Sequence, residues 1–229
     1  MYQKQYDVIV IGSGPGGFAA ALAASRLGKR VLVVERNPFF GGLLASGLPP
    51  LAFLDRSGRQ VIGGIAQEYI DRLREVGGAT EHFRAPIQNS LTYLNMSWAR
   101  VMINEMFREA HIDTMIYAEL SAVRMEGRAV RGVEVFTRGE RYTFKTEMLV
   151  DGTGDACCAW MAGAECRKGE ALQPATLTFD VENIDIDAFA AYARTHPETI
   201  RMPDTFPGIH QSADDFGLDK TFATMCFFD

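Results

Sequence analysis

Three groups of residues near the start of the chain are suited to holding a phosphate-rich ligand. Gly12-Ser-Gly14-Pro-Gly-Gly17 follows the apolar run Val8 to Ile11 and opens an Ala-rich helical stretch. Glu35 ends a second apolar run 18 residues after Gly17, and the doublet Gly41-Gly42 follows. Glycines at this spacing allow a tight turn, close approach of backbone to a pyrophosphate and close packing of helix on strand, while an acid accepts hydrogen bonds from ribose hydroxyls. The pattern predicts a dinucleotide-binding site, with Glu35 on the 2′- and 3′-hydroxyls of an adenosine ribose.

The elements that position these residues follow from the apolar pattern. Strands are predicted at 7–11 and 31–35, with a helix at 16–28 between them, and this order is that of a right-handed βαβ unit. The N-terminus of the helix would offer unsatisfied N–H groups and the positive end of its dipole to phosphates.

The rest of the chain alternates between helices and short strands. An amphipathic helix is predicted at 63–77 and a second from its cap at Ser97 to about Ala110, with a polar, irregular stretch at 79–95 between them. Further strands are predicted at 114–117, 120–125, 130–137, 142–145, 147–150 and 176–181, and helices at 156–164 and 186–194. Three of these strands form an antiparallel β-meander inserted into an otherwise parallel α/β domain.

Composition narrows the class of protein. The 229 residues carry a net charge of −6, and the sequence pI is about 5.3. With no basic stripe to neutralise phosphates, no nucleic-acid partner is predicted. No apolar run approaches the length of a membrane helix and no signal peptide precedes the first strand, so no membrane partner and a cytoplasmic location are predicted. The four cysteines, Cys157, Cys158, Cys166 and Cys226, form no C-x-x-C pair, so no metal site is predicted.

Two longer motifs distinguish a flavin from a nicotinamide cofactor. Glu35-Arg-Asn-Pro-Phe-Phe-Gly41-Gly42 resembles the extended motif of flavoproteins with the glutathione-reductase-type two-dinucleotide fold. Val150-Asp-Gly-Thr-Gly-Asp155 resembles their second signature, although Gly152 stands where the pattern usually has Ala. The order of motifs matches over about the first 165 residues. With the helix beginning at Gly64 and the stretch Gln173-Pro-Ala-Thr-Leu-Thr-Phe, the chain resembles the bacterial FAD-dependent oxidoreductase family.

The resemblance implies a Rossmann-like FAD-binding domain and FAD as the cofactor. The contacts implied for the pyrophosphate are Gly12, Ser13, Gly14, Pro15, Gly16 and Gly17, and those for the adenosine are Glu35, Arg36 and the Leu120 backbone. Gly41, Gly42 and Leu43 would contact the ribityl and flavin part, and Gly154 and Asp155 would border the cofactor at the second signature. Catalytic residues are not assigned, since hydride transfer to a flavin needs no protein nucleophile. Among the histidines, His82 is a candidate for contact with the substrate. The alternative is that it is an ordinary solvated histidine in a loop.

The resemblance also implies the domain organisation. Residues 1–165 would form the FAD-binding domain, with 43–95 as a flavin-lining loop and helical insertion, and 166–229 would begin an incomplete substrate or cap domain. The family normally returns with a C-terminal segment carrying another Gly-Asp pair, so the chain is expected to be the N-terminal portion of a longer protein. The expected partners are a small-molecule substrate and either a complementary C-terminal chain or a second copy.

Three functions remain open at this point. The first is a FAD-dependent oxidoreductase that transfers hydride between an unidentified small molecule and FAD. The second is a non-catalytic nucleotide-binding fragment or split-protein subunit that needs a partner chain. The third is an NAD-binding Rossmann dehydrogenase, which the Gly41-Gly42 doublet and the meander ending in the Gly152–Asp155 signature disfavour.

Overall fold

The computed structural model describes residues 4–85, 88–169 and 183–196. The strand predicted at 176–181 and most of the predicted cap domain lie outside them. Two compact units divide the chain: Met1–Ser46 with Ala99–Thr176, and Gly47–Trp98 with Leu177–Asp229. The domain boundaries expected from the sequence stay a prediction.

The described helices and strands carry the labels used below. In chain order they are β1 (Val8–Ile11), α1 (Pro15–Arg26), β2 (Val31–Val34), a 3₁₀ turn (Gly42–Ala45), α2 (Ile65–Glu75), β3 (Phe83–Ala85), β4 (Asn89–Leu91), α3 (Met96–Glu109), β5 (Asp113–Met115), β6 (Ala118–Glu126), β7 (Ala129–Thr137), β8 (Glu140–Lys145), β9 (Met148–Asp151), α4 (Cys157–Met161) and α5 (Ile186–Thr195). The elements that the sequence predicted within the described residues are present, with ends that differ by three residues at most.

A four-stranded parallel sheet forms the centre of the first unit, in the order β5-β2-β1-β9. Its two inner strands are buried along their whole length, as expected for unbroken apolar runs in a parallel sheet. The register pairs Ile11 with Val34 and with Asp151, so β1, β2 and β9 end side by side. The loops that follow these strands, which carry most of the predicted site, therefore start from one edge of the sheet.

The β-meander is a separate antiparallel sheet in the order β6-β7-β8. Val133, Val135 and Phe144 of the meander share a buried cluster with Ile9 and Leu32 of the parallel sheet. The predicted α/β fold, with a parallel sheet and an inserted antiparallel meander, is confirmed.

The second unit corrects two sequence predictions. Residues 79–95 are not irregular throughout, because β3 and β4 pair as an antiparallel hairpin in which Phe83 lies opposite Leu91. Strands of three residues are too short for their alternation to stand out from a polar sequence. The cap of α3 is also different: the helix begins at Met96, and the Asn95 side chain, rather than that of Ser97, accepts the N–H of Trp98. Within the described part of the chain, no helix is both long and apolar enough to cross a membrane.

Candidate functional site

The turn between β1 and α1 is built from glycines in close contact. Gly12 has a φ of +87°, and its N–H donates to the Val34 carbonyl at 2.8 Å. A Cβ on Gly17 would collide with the carbonyl oxygen of Gly12, so the helix can cross the strand end at this distance only with glycine there. The chain therefore reverses sharply at the edge of the sheet and points the start of α1 into solvent.

The N-terminus of α1 is open to a ligand. Gly14 is the capping residue, Pro15 and Gly16 follow it exposed, and no side chain among the described residues caps the helix. A Cβ on Gly16 would meet nothing within 4 Å. The first N–H groups of a helix have no partner within it, and together with the helix dipole they favour phosphate. This end of α1 has the space and the donors for an anionic ligand.

Glu35 lies beside this turn and is only 4% exposed. Its Oε2 accepts the Ser13 N–H at 2.9 Å and the Ser13 hydroxyl at 2.6 Å. Its Oε1 accepts the Asn37 N–H at 2.9 Å. The carboxylate is thus fixed by neighbouring donors. Both donors of Ser13 are directed to Glu35, and the pyrophosphate contact expected for Ser13 stays a prediction.

The Gly41-Gly42 doublet packs against the same turn. The Gly41 N–H donates to the Ser13 carbonyl at 3.1 Å, and a Cβ on Gly42 would lie 2.9 Å from the Cα of Gly14. Leu43 follows in the 3₁₀ turn with 60% of its surface exposed. The doublet therefore carries the chain across the glycine turn and leaves Leu43 exposed. The contacts of Gly41, Gly42 and Leu43 with the ribityl and flavin part stay a prediction.

Arg100 holds the far end of this segment. Its Nε and Nη2 donate to the Ala45 carbonyl at 3.1 and 2.9 Å, and its guanidinium lies 4.1 Å from the centre of the Phe39 ring. The side chain thus bridges residues on both sides of Gly41-Gly42. The sequence contained no signal for this role, because the partners are a carbonyl and a ring 55 and 61 positions away in the chain.

The second signature begins where β9 ends. The Gly152 N–H donates to the Ile11 carbonyl at 2.8 Å, which joins this loop to the glycine turn. Asp151 accepts the hydroxyl and N–H of Thr153 and the N–H of Ala159. Burial opposes ionisation of Asp151, but these donors together hold its pKa below the usual value. Gly154 follows with a φ of +80°, and Asp155 is exposed.

The remaining predicted contacts are spread more widely. Arg36 is exposed directly after Glu35. The Leu120 side chain is buried in the cluster between the two sheets, and Leu120 pairs with Val135 in the meander. The start of β6 is tied to the Glu35 segment, since the Ala118 N–H donates to the Glu35 carbonyl at 3.0 Å. The contact of the Leu120 backbone with adenine stays a prediction.

His82 lies in the second unit and its ring is fully engaged. Nδ1 is 2.6 Å from the Thr92 hydroxyl, Nε2 is 2.9 Å from Gln67 Oε1, and the ring stacks on Phe53. It is therefore not a freely solvated loop histidine. Burial, and then the charge of Arg74, lower its pKa.

A parallel sheet that ends in a glycine turn, an exposed helix N-terminus and a buried acid define a dinucleotide-binding α/β protein. Its residues fit FAD on structural grounds, because the open space beside Gly16 and the helix N–H groups suit a pyrophosphate. The model of the FAD dependent oxidoreductase family matches residues 7–224. The chain belongs to this family, and FAD is its cofactor.

Two individual relatives are similar to this chain over limited lengths. The soluble pyridine nucleotide transhydrogenase of Mycobacterium tuberculosis (strain ATCC 25177 / H37Ra) is 55% identical over 40 residues, which are 18% of this chain and 8% of the relative. The tRNA uridine 5-carboxymethylaminomethyl modification enzyme MnmG of Pelobacter propionicus is 33% identical over 166 residues, which are 66% of this chain and 25% of the relative. The chain thus corresponds to a quarter or less of the length of these relatives.

Among solved structures, a geranylgeranyl bacteriochlorophyll reductase-like protein from Thermoplasma acidophilum is similar with a TM-score of 0.51 and 19% identity. The similarity covers 71% of this chain and 43% of that one. It supports the fold assigned above.

Proposed function

We propose that this chain forms the FAD-holding part of an oxidoreductase that transfers hydride between a small-molecule substrate and the cofactor. The observation that carries the proposal is the convergence of the α1 N-terminus, the Glu35 carboxylate and the Gly41-Gly42 doublet at one edge of the parallel sheet. Bound FAD supplies the redox chemistry, and the protein supplies orientation and electrostatics.

Each part of the site has a task in this proposal. The N–H groups at the start of α1 would bind the pyrophosphate, and Glu35 would hold the adenosine ribose. The Gly41-Gly42 doublet would let the chain pass close to the ribityl part of the cofactor, with Arg100 holding the segment in place. Gly154 and Asp155 would border the cofactor from the second signature.

The visible absorption spectrum of the purified chain, before and after addition of FAD, tests the proposal. We expect bands at about 370 and 450 nm that stay with the protein on desalting, as for a bound oxidised flavin. A colourless chain that ignores FAD but is stabilised by ADP would instead favour a non-catalytic nucleotide-binding module. Stabilisation by NAD without any response to FAD would favour a nicotinamide dehydrogenase.

A matched pair of variants makes the titration specific to the site. Gly16→Ser adds a side chain in the open space at the start of α1, and Gly63→Ser adds one at a position equally free of neighbours, in the other unit. We expect FAD affinity to fall at least about tenfold in Gly16→Ser, because the added side chain should weaken pyrophosphate binding by roughly 1.4 kcal/mol or more. FAD affinity should be unchanged in Gly63→Ser. Equal affinities in the two variants would place FAD elsewhere.

A second polypeptide segment is a further part of the proposal. Strand β9 is an edge of the parallel sheet within the described residues, its Met148 is 57% exposed, and Trp160 of α4 is 69% exposed. Unpaired strand edges and apolar surface favour association. We expect another segment, from a longer protein, a complementary chain or a second copy, to cover this edge. Light scattering detects a second copy, and amide exchange at β9 reports covering of the edge.

A further inference from the structure

The hydrogen bonds around Glu35 use its two carboxylate oxygens unequally. Oε2 accepts two hydrogen bonds, from the N–H and the hydroxyl of Ser13 at 2.9 and 2.6 Å. Oε1 accepts one, from the Asn37 N–H at 2.9 Å. A carboxylate oxygen has about two lone pairs available for acceptance. Oε2 is therefore saturated within the protein, and Oε1 retains a single acceptor position.

The Ser13 hydroxyl is itself held in place. Its oxygen accepts the Gly41 N–H at 3.2 Å, and the residue is completely buried, so water does not compete for it. A carboxylate can only accept, so the hydroxyl proton lies on the hydrogen bond to Glu35. Ser13 thus connects the acid after β2 with the glycine doublet, and both of its hydrogen bonds to the acid fall on the same oxygen, Oε2.

We infer that Ser13 is a positioning residue that limits Glu35 to a single ribose hydroxyl, accepted through Oε1. This inference rests on the proposed role of Glu35 in holding the adenosine ribose. It departs from the expectation that Glu35 serves the 2′- and 3′-hydroxyls alike.

The consequence is an asymmetry between the two ribose hydroxyls. In the native chain, removal of the hydroxyl that Glu35 accepts should weaken binding about tenfold or more, as for loss of a hydrogen bond to a charged group. Removal of the other hydroxyl should weaken it less than about twofold. Ser13→Ala keeps the backbone N–H but removes the hydroxyl, so the Glu35 carboxylate is held by one hydrogen bond fewer and can turn Oε2 towards the ligand. Both hydroxyls should then contribute.

Calorimetric titration of the flavin-free chain with ADP, 2′-deoxy-ADP and 3′-deoxy-ADP measures this asymmetry directly. We expect the native chain to discriminate strongly against one deoxy analogue only, and Ser13→Ala to discriminate against both. Ser13→Thr keeps a hydroxyl and should keep the native pattern. Ser13→Gly also lacks the hydroxyl and carries the same expectation as Ser13→Ala, should the alanine variant fail to fold.

The outcomes separate this inference from the proposed function. If the native chain loses affinity equally for both deoxy analogues, or if Ser13→Ala changes all three dissociation constants by one factor, Ser13 is merely structural and the inference is wrong. If the native chain binds ADP without distinguishing the sugars, Glu35 does not hold the ribose, and both the proposed role of Glu35 and the inference fall. Absence of ADP binding by the native chain overturns the proposed site as a whole.

Discussion

The carbonyl oxygen of Gly12 lies 2.6 Å from the position that a Cβ on Gly152 would take. The relation is mutual, because a Cβ on Gly12 would collide with the Gly152 carbonyl. Gly12 follows β1 and Gly152 follows β9. The Gly152 N–H donates to the carbonyl of Ile11, the last residue of β1. Two strands that are far apart in the sequence thus end in backbone-to-backbone contact. This contact gives a physical reason for glycine at position 152.

Gly152→Ala should therefore destabilise the chain. Overpacking of a tight contact costs about 1–3 kcal/mol, and the atom in the way belongs to the backbone, which cannot rotate aside. Urea unfolding of the flavin-free chain measures the difference in the free energy of unfolding. Gly63→Ala is the matched control, since its Cβ would meet nothing within 4 Å, and it should change stability by less than about 0.5 kcal/mol. Equal stabilities would show that the two loops separate without cost.

The central fold could be predicted because its signals are local. Val8 to Ile11 and Val31 to Val34 are unbroken apolar runs, and Gly12, Gly14 and Gly17 lie at a spacing with a specific structural meaning. The hairpin of β3 and β4 could not be predicted in this way. Its three-residue strands contain Arg84, Asn89 and Ser90, and their pairing leaves no alternating apolar pattern in the sequence.

The contacts within the site were only partly predictable. The sequence identified Glu35 and the glycine doublet by spacing, but spacing does not reveal that Ser13 donates twice to Glu35. Arg100 carried no signal, because an arginine in a helix usually faces solvent and its partner here is a main-chain carbonyl. Such contacts depend on tertiary geometry rather than on local pattern.

Replacement of Arg100 tests whether its contacts with Ala45 and Phe39 stabilise the segment that contains Gly41-Gly42. Arg100→Met keeps much of the aliphatic stem but loses both hydrogen bonds to Ala45 and the cation over Phe39. We expect a loss of about 1–3 kcal/mol in unfolding free energy and faster amide exchange in the 3₁₀ turn. Arg108→Met is the control. Arg108 lies on the same helix, and its exposed ion pair with Glu105 should contribute less than about 1 kcal/mol to the free energy of unfolding. If the two variants behave alike, Arg100 is an ordinary surface arginine.

The environment of His82 predicts a specific pH dependence. The Gln67 amide nitrogen donates to Asp71 at 2.7 Å, so Gln67 Oε1 is an acceptor and the facing Nε2 of His82 carries the proton. Nδ1 then accepts from the buried Thr92 hydroxyl, which favours the neutral ring. Burial and the charge of Arg74 accordingly lower the pKa of His82 from its ordinary 6.5.

Because the folded-state pKa is lowered, the unfolded chain binds this proton first as the pH falls. The contribution of neutral His82 is complete above about pH 6.5 and is lost progressively below it. Urea unfolding across this pH range should show that the free energy of unfolding declines as the pH falls, and that this decline is smaller in His82→Asn than in the native chain. His111→Asn is the control, since His111 is exposed. A decline of equal steepness in His82→Asn and the native chain would assign the effect to other groups.

Cys158 should resist alkylation although it lies beside Cys157 at the start of α4. Burial, and then the nearby Asp151 and Cys157, raise the pKa of its thiol to about 12. At about pH 8 only roughly one thiol in ten thousand would be thiolate, which is the reactive form. Iodoacetamide labelling followed by peptide mass spectrometry should modify the exposed Cys166 well before Cys158. Denatured chain serves as the control, in which both should react. Labelling of Cys158 as fast as Cys166 in the native chain would mean that α4 opens readily, and the second signature would then be a mobile part of the site.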